Sequence, residues 1–221
     1  MKKIISLSES IGSRGPKILV YGDSGVGKTT LIVNLPGRIL VASAERGLRS
    51  IKGAPNEANI DVIEIDSVGD LRDACAHAAK NHDWLVCDSI TEIATKLLGE
   101  RKEGATDPRQ AYGAIIDEIG AVVRSMRDLP CGVLCTTHEE IDIDEKTKKR
   151  NILPMMPGSK LGPSLPYVFD EVYRMYVDGE KRLIRTVTDG VIKAKSRGYV
   201  LDPVMDVTDS GLAEVLERLN A

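Results

Sequence analysis

The chain has 221 residues, 42% of them apolar and 4% aromatic, with a formal net charge of −3. That length suits one globular domain, and the charge balance excludes a protein that attracts nucleic acid through its whole field; any such contact needs a local basic patch. The opening Met1-Lys-Lys-Ile-Ile-Ser6 is too soon interrupted by polar residues to form a signal sequence, and no apolar run approaches a membrane span, so a cytoplasmic protein is expected.

Residues 1–15 are polar and read as a lead-in arm, with the folded domain over 16–221. Pro16-Lys-Ile-Leu-Val-Tyr21 predicts the first strand. Gly22, Asp23, Ser24, Gly25, Val26, Gly27, Lys28 and Thr29 follow at once and fit G-x-x-x-x-G-K-[ST], and Thr30-Leu-Ile-Val-Asn-Leu35 then predicts a helix that Pro36-Gly37 stops. Strand, glycine loop and helix are the context in which this motif is a phosphate-binding P-loop. Its glycines let successive N–H groups turn inward toward phosphate oxygens, and the helix N-terminus adds positive potential. The pattern therefore predicts a nucleoside triphosphate held by residues 22–30. Lys28 would reach the β- and γ-phosphates and the Thr29 hydroxyl would ligate Mg²⁺.

Further strands are predicted over 38–42, 61–65, 84–87 and 132–136, the one at 61–65 more exposed because its apolar residues alternate. Helices are predicted over 68–80, from 90 to 98, and over 115–126. Residues 99–104 have no apolar side chain and predict an exposed loop. Strands separated by helices, with the P-loop after the first, predict an α/β fold with a parallel sheet. Residues 139–166 show no sustained period, which predicts a functional loop or disorder. The runs 169–177 and 181–187, joined by Asp178-Gly179-Glu180, predict an antiparallel hairpin, and residues 210–219 predict a Ser-capped final helix.

Of the four cysteines, Cys87, Cys131 and Cys135 lie in strand-like apolar runs, where a reduced thiol acts as a small hydrophobe. Cys131 and Cys135 would stand roughly 13 Å apart on a strand. That is too far to share a metal with bonds of about 2 Å.

Three polar positions end predicted strands. Asp88, after Trp84-Leu-Val-Cys87, fits a Walker B carboxylate beside the P-loop strand that orders Mg²⁺ directly or through water; it also fits a cap for the helix at 90. Glu45, after Ile39-Leu-Val-Ala-Ser-Ala44, ends a strand expected beside the P-loop strand, where a carboxylate faces the γ-phosphate and can orient an attacking water; it also fits an acidic helix start. His138, after Leu134-Cys-Thr-Thr137, could touch a γ-phosphate or be structural.

Together, this order of P-loop, Glu, apolar-Asp-Ser, polar strand end, long loop and hairpin resembles the ATPase core of the RecA-type recombinase family over about residues 16–203. The compact size resembles the RecA-like single-strand annealing ATPases of bacteriophages, known broadly as phage nucleotide-binding proteins. The resemblance implies a RecA-like P-loop NTPase core, a mostly parallel sheet flanked by helices with a C-terminal antiparallel hairpin. It implies ATP and Mg²⁺ as ligands and Glu45 as the residue that activates water. His138 becomes the γ-phosphate sensor, and Lys195 and Arg197 become basic residues reaching a neighbouring subunit's nucleotide. It also implies a homo-oligomer that acts on single-stranded DNA, with a single-strand binding protein as a possible partner. No separate N-terminal helical domain is evident, and the scarcity of aromatics leaves few residues for base stacking.

The stretch after His138 would correspond to a DNA-binding loop, with Lys146, Lys148, Lys149, Arg150 and Lys160 on phosphates. It also reads as a solvated loop whose cations are balanced by Glu139, Glu140, Asp142, Asp144 and Glu145. Residues 99–109, with Arg101, Lys102 and Arg109, are a second candidate. A ring helicase or motor on the same core, and a nucleotide-gated interaction protein with little turnover, are the alternative functions.

Overall fold

The computed structural model describes residues 6, 14–44, 47–102, 108–158 and 161–220. It places Lys17–Tyr21 in strand β1 with all five residues buried, as the apolar run after Lys17 requires of a central parallel strand, and Lys17 Nζ donates to the Cys131 carbonyl at 2.9 Å. Strands β2 (Ile39–Ser43), β3 (Ile60–Glu64), β4 (Trp84–Cys87), β5 (Gly132–Thr137), β6 (Glu139–Ile143), β7 (Arg150–Pro154), β8 (Glu171–Asp178), β9 (Lys181–Arg185) and β10 (Val204–Asp206) follow. Eight of them form one sheet in the order β10-β9-β8-β1-β5-β4-β2-β3. It is parallel from β3 through β8 and antiparallel at β8–β9–β10. This is the α/β class with its C-terminal hairpin, extended by β10, which the sequence reading did not anticipate.

Side chains alternate across the sheet, so β1 feeds two cores. Leu19 and Tyr21 pack on one face with Leu71, Ile93, Ile119 and Leu165, from helices α1 (Val68–Asn81), α2 (Ile90–Lys102), α3 (Pro108–Met126) and α4 (Leu161–Val168). Ile18 and Val20 pack on the other with Leu31, Ile32, Val215 and Leu216, from the 3-10 helix Thr29–Asn34 and helix α5 (Ala213–Asn220). Helix α1 shows why the sequence periods were readable. Val68, Leu71, Ala74, Cys75 and Ala78 form its buried stripe, and Ser67 caps it by accepting the Asp70 N–H at 3.1 Å. The four cysteines are free and buried, and burial pushes the Cys75 thiol up to about 12.

Several expectations change. Residues 99–102 continue α2 instead of opening a loop, and α3 begins at Pro108, ahead of the start expected at Ile115. Proline at the first helical position costs no hydrogen bond. The described part of the aperiodic stretch 139–166 carries regular elements. β6 and β7 pair antiparallel as a two-stranded ribbon, and α4 follows. Such a ribbon has no clear period because most of its residues are exposed or only half-buried, with no face fully covered. β3 is the sheet edge, matching its mixed pattern. The final helix begins at Ala213, whose N–H bonds to the Ser210 carbonyl at 3.0 Å, so Ser210 sits in the preceding turn. At the start of the described core, Gly15 donates its N–H to Pro130 O at 2.8 Å and Arg14 pairs with Asp128 at 3.0 Å.

Candidate nucleotide-binding site

The loop at 22–28 leaves the C-terminal end of β1 under tight steric limits. Gly22 has no room for a side chain, because a Cβ there would lie 2.3 Å from the Met175 carbonyl oxygen. Gly27 has φ +100°, a conformation that disfavours any Cβ, and an added Cβ would also lie 2.9 Å from Arg182 Nε. Val26 is buried and anchors the loop between them. The chain then enters 3-10 turns at Thr29, the shorter-pitched form of the predicted helix.

The loop closes on its own lysine. Lys28 Nζ donates to the carbonyls of Gly22 and Asp23, both at 2.8 Å, and burial holds its ammonium below the ordinary lysine range despite the nearby Asp88. Thr29 Oγ donates to Asp88 Oδ2 at 2.8 Å, and Thr136 Oγ donates to Asp88 Oδ1 at 2.6 Å. The carboxylate takes the hydrogens of both hydroxyls, which leaves the Thr29 oxygen lone pairs free for a cation. Lys28, Thr29, Asp88, Glu92, His138 and Arg182 line one cavity of about 380 Å³. His138 Nε2 is 3.0 Å from Glu92 Oε1.

Two readings of Asp88 are corrected by this arrangement. The helix cap is Ser89, whose Oγ accepts the Glu92 N–H at 3.2 Å, so Asp88 is left for the cavity. Nor does β4 flank the P-loop strand: β5 lies between them, and β2, the strand before Glu45, lies beyond β4. Asp88 still reaches Thr29 because it ends its strand at the same edge of the sheet as the loop. Glu45 itself lies outside the described residues, but Ser43 and Gly47, close to it in sequence, both line the cavity.

Lys195 and Arg197 are not part of this cavity. Lys195 bridges Val172 near the start of β8, and Arg197 pairs with Asp170 at 2.8 Å while its N–H donates to Glu171 Oε1 at 3.0 Å. Since β8 runs parallel to β1, both stand at the end of the sheet opposite the chain's own P-loop. Any contact with a nucleotide would therefore be with that of another subunit. Burial and the Arg197 charge lower the Lys195 ammonium below its ordinary value.

Lys146, Lys148, Lys149 and Arg150 are exposed at the tip of the β6–β7 ribbon, and none is in an ion pair with a described residue. Exposed Asp142, Asp144 and Glu145 share the ribbon with them, so part of the expected acidic balance remains in place. Glu139 is held by Arg174 through two bonds of 2.8 and 3.1 Å, and Asp144 accepts the N–H groups of Lys146 and Thr147, which hold its carboxyl low. Lys160 and residues 103–107 lie outside the described residues. The remaining backbone of the second candidate loop is helical.

Thr136, Glu92 and Arg182 escaped the sequence reading. Thr136 and Glu92 carry no motif of their own. Arg182 could have been found from period two in β9, where it shares a face with the fully buried Ile184.

A family model described as an AAA domain matches residues 14–198. The chain belongs to this AAA-domain family. None of the curated proteins matches it. Among solved structures it is similar to a KaiC-like protein from the hyperthermophilic archaeon Pyrococcus horikoshii OT3. The two are 15% identical with a TM-score of 0.48, and the match covers 78% of each chain. The match to the AAA domain takes in the P-loop, the Asp88 strand, the ribbon and the hairpin together. No helix among the described residues is long and apolar enough to cross a membrane.

Proposed function

We propose that the protein binds ATP with Mg²⁺, hydrolyses it, and acts on single-stranded DNA in recombination or strand annealing, in the manner of the compact phage RecA-like ATPases. The observation that carries the ATP reading is the Thr29–Asp88–Thr136 arrangement beside the Lys28 loop. It combines a cation-ready hydroxyl and carboxylate with a lysine whose present partners are only backbone carbonyls that a phosphate can replace. Thr29 and Asp88 would hold Mg²⁺ there, which would supply positive charge against that of the phosphates.

The chain's own residues would do the rest. Loop N–H groups and Lys28 would hold the phosphates, and Thr29 and Asp88 would face the cation. Glu45 would orient water, with His138 and Glu92 at the γ end of the cavity. His138 directly precedes β6, and Glu139 ties the ribbon base to β8, so occupancy of the cavity has a short path to the ribbon tip. Lys195 and Arg197 would serve a neighbour's site in a homo-oligomer, and a single-strand binding protein would be a natural partner on the same substrate.

The DNA reading is tested by salt. Neutralising Lys146, Lys148, Lys149 and Arg150 together is expected to weaken binding to labelled single-stranded DNA in anisotropy titrations. The logarithmic salt slope should also flatten, by about 0.7 for each phosphate that the ribbon no longer neutralises. Curves that superpose on wild type at two salt concentrations would assign the ribbon to solvent. Turnover that is the same with and without DNA would favour the nucleotide-gated interaction protein.

The subunit reading is tested by mixing. A Lys195→Ala/Arg197→Ala variant and a Glu45→Gln variant should each bind ATP and turn it over poorly. Mixed and allowed to exchange subunits, they should recover part of the activity, because intact Glu45 of one subunit then meets the intact basic pair of another. Full activity from the double variant, or from a strictly monomeric wild type, would overturn the arrangement.

A further inference from the structure

We infer that Arg182 is a nucleotide-binding residue that clamps the α- and β-phosphate end of the ligand from the hairpin of the same subunit. The inference rests on the nucleotide reading of the cavity and adds to it a residue outside every P-loop motif.

Arg182 is placed rigidly. Its backbone N–H donates to Thr208 Oγ at 2.9 Å, and its carbonyl accepts the Val207 N–H at 2.8 Å. Two residues along β9, Ile184 is fully buried against the core that also holds Leu31 and Ile32 of the turns after the P-loop. Period two then aims the Arg182 side chain at the loop itself. Its Nε and Cδ lie 2.9 and 3.1 Å from the point where a Gly27 Cβ would be, and Thr30 Oγ lies 3.2 Å from the same point. Absence of a side chain at Gly27 is what admits the guanidinium.

The electrostatics point to an anion. Arg182 is half-buried, lines the cavity, and makes no side-chain hydrogen bond or ion pair with a described residue. Lys28, Asp88 and Glu92 line the same cavity, but Asp88 is engaged by Thr29 and Thr136 and Glu92 by His138, so no carboxylate of the cavity answers the Arg182 charge. A half-buried guanidinium that faces this cavity with the Lys28 ammonium favours an anion between them, and its planar fork matches two phosphate oxygens.

Sheet order decides which phosphates. β5 and β4, carrying Thr136 and Asp88, lie on one side of β1; β8 and β9 lie on the other. Thr29 and Asp88 mark the cation and γ-phosphate side. Arg182 approaches from the opposite flank, over Gly27 and Thr30, where the part of the nucleotide common to ATP and ADP would sit.

The test compares Kd values for Mg-ADP and for a non-hydrolysable ATP analogue, measured calorimetrically on wild type, Arg182→Ala, Arg182→Gln and Arg182→Lys. Loss of a charged hydrogen-bond partner should weaken both ligands by the same factor, at least about tenfold, in the Ala and Gln variants. Lys should restore part of the loss, since it keeps the charge without the fork. Melting curves without ligand should match wild type for the Gln variant, which keeps most of the stem. Unchanged affinities in all three variants would overturn the inference while leaving the nucleotide site standing. A loss confined to the ATP analogue would also overturn it, because Arg182 would then meet the γ-phosphate. Wild-type protein that binds neither ligand would overturn the nucleotide reading, and this inference with it.

Discussion

Lys28→Ala is expected to abolish ATP hydrolysis, by roughly 10³-fold or more, while leaving the fold intact. The size follows from removing a fixed positive charge from the place where phosphate charge develops in a water-poor site. The fold should survive because Lys28 Nζ bonds only to the carbonyls of Gly22 and Asp23 and the side chain lines the cavity. None of the hydrophobic core packs through it. Turnover assays paired with thermal unfolding check both halves. Wild-type turnover in this variant would sink the ATPase reading, and a collapse of the melting temperature would show that Lys28 holds the loop together.

Asp88→Asn should cut turnover by roughly 10²-fold, the order expected when a cation that neutralises transition-state charge loses its anionic partner. The carboxylate now accepts from Thr29 at 2.8 Å and from Thr136 at 2.6 Å. An amide offers one oxygen and one NH₂, so one of the two hydroxyls must turn its hydrogen away. If Thr29 turns, its lone pairs leave the cation position as well. Raising Mg²⁺ should recover part of the activity, which distinguishes a cation defect from a folding defect. Stability should fall by only about 1 kcal/mol, since hydrogen bonds are exchanged more than removed. Full turnover at ordinary Mg²⁺ would leave Asp88 a structural residue that holds Thr136.

The sequence was most legible where local rules act alone. The P-loop is contiguous, so spacing and context identify Gly22 through Thr30 without any tertiary knowledge. Buried strands were readable as continuous apolar runs because both their faces are covered, and the α1 stripe because burial on one face imposes a period. Legibility failed where exposure erased the period, as in β6 and β7. It also failed where a helix ran on through a polar stretch, as in residues 99–102 of α2. Asp88 was read as a Walker B residue beside the P-loop strand, yet β5 stands between the two strands. Chain order alone does not show which parallel strands become neighbours.

What the sequence determined by itself was the phosphate loop, the α/β class and the hairpin, because each depends on residues within a few positions of one another. The tertiary structure alone decided that Thr136 grips Asp88, that Glu92 meets His138, and that Arg182 overhangs Gly27. It also decided that Lys195 and Arg197 stand at the far end of the sheet from their own loop. Thr136 and Asp88 are 48 residues apart in the chain, and His138 and Glu92 are 46 apart, far beyond the reach of any local pattern. Only strand order and the face on which each side chain emerges bring them together, and both are set by burial of the whole sheet between its two helical layers.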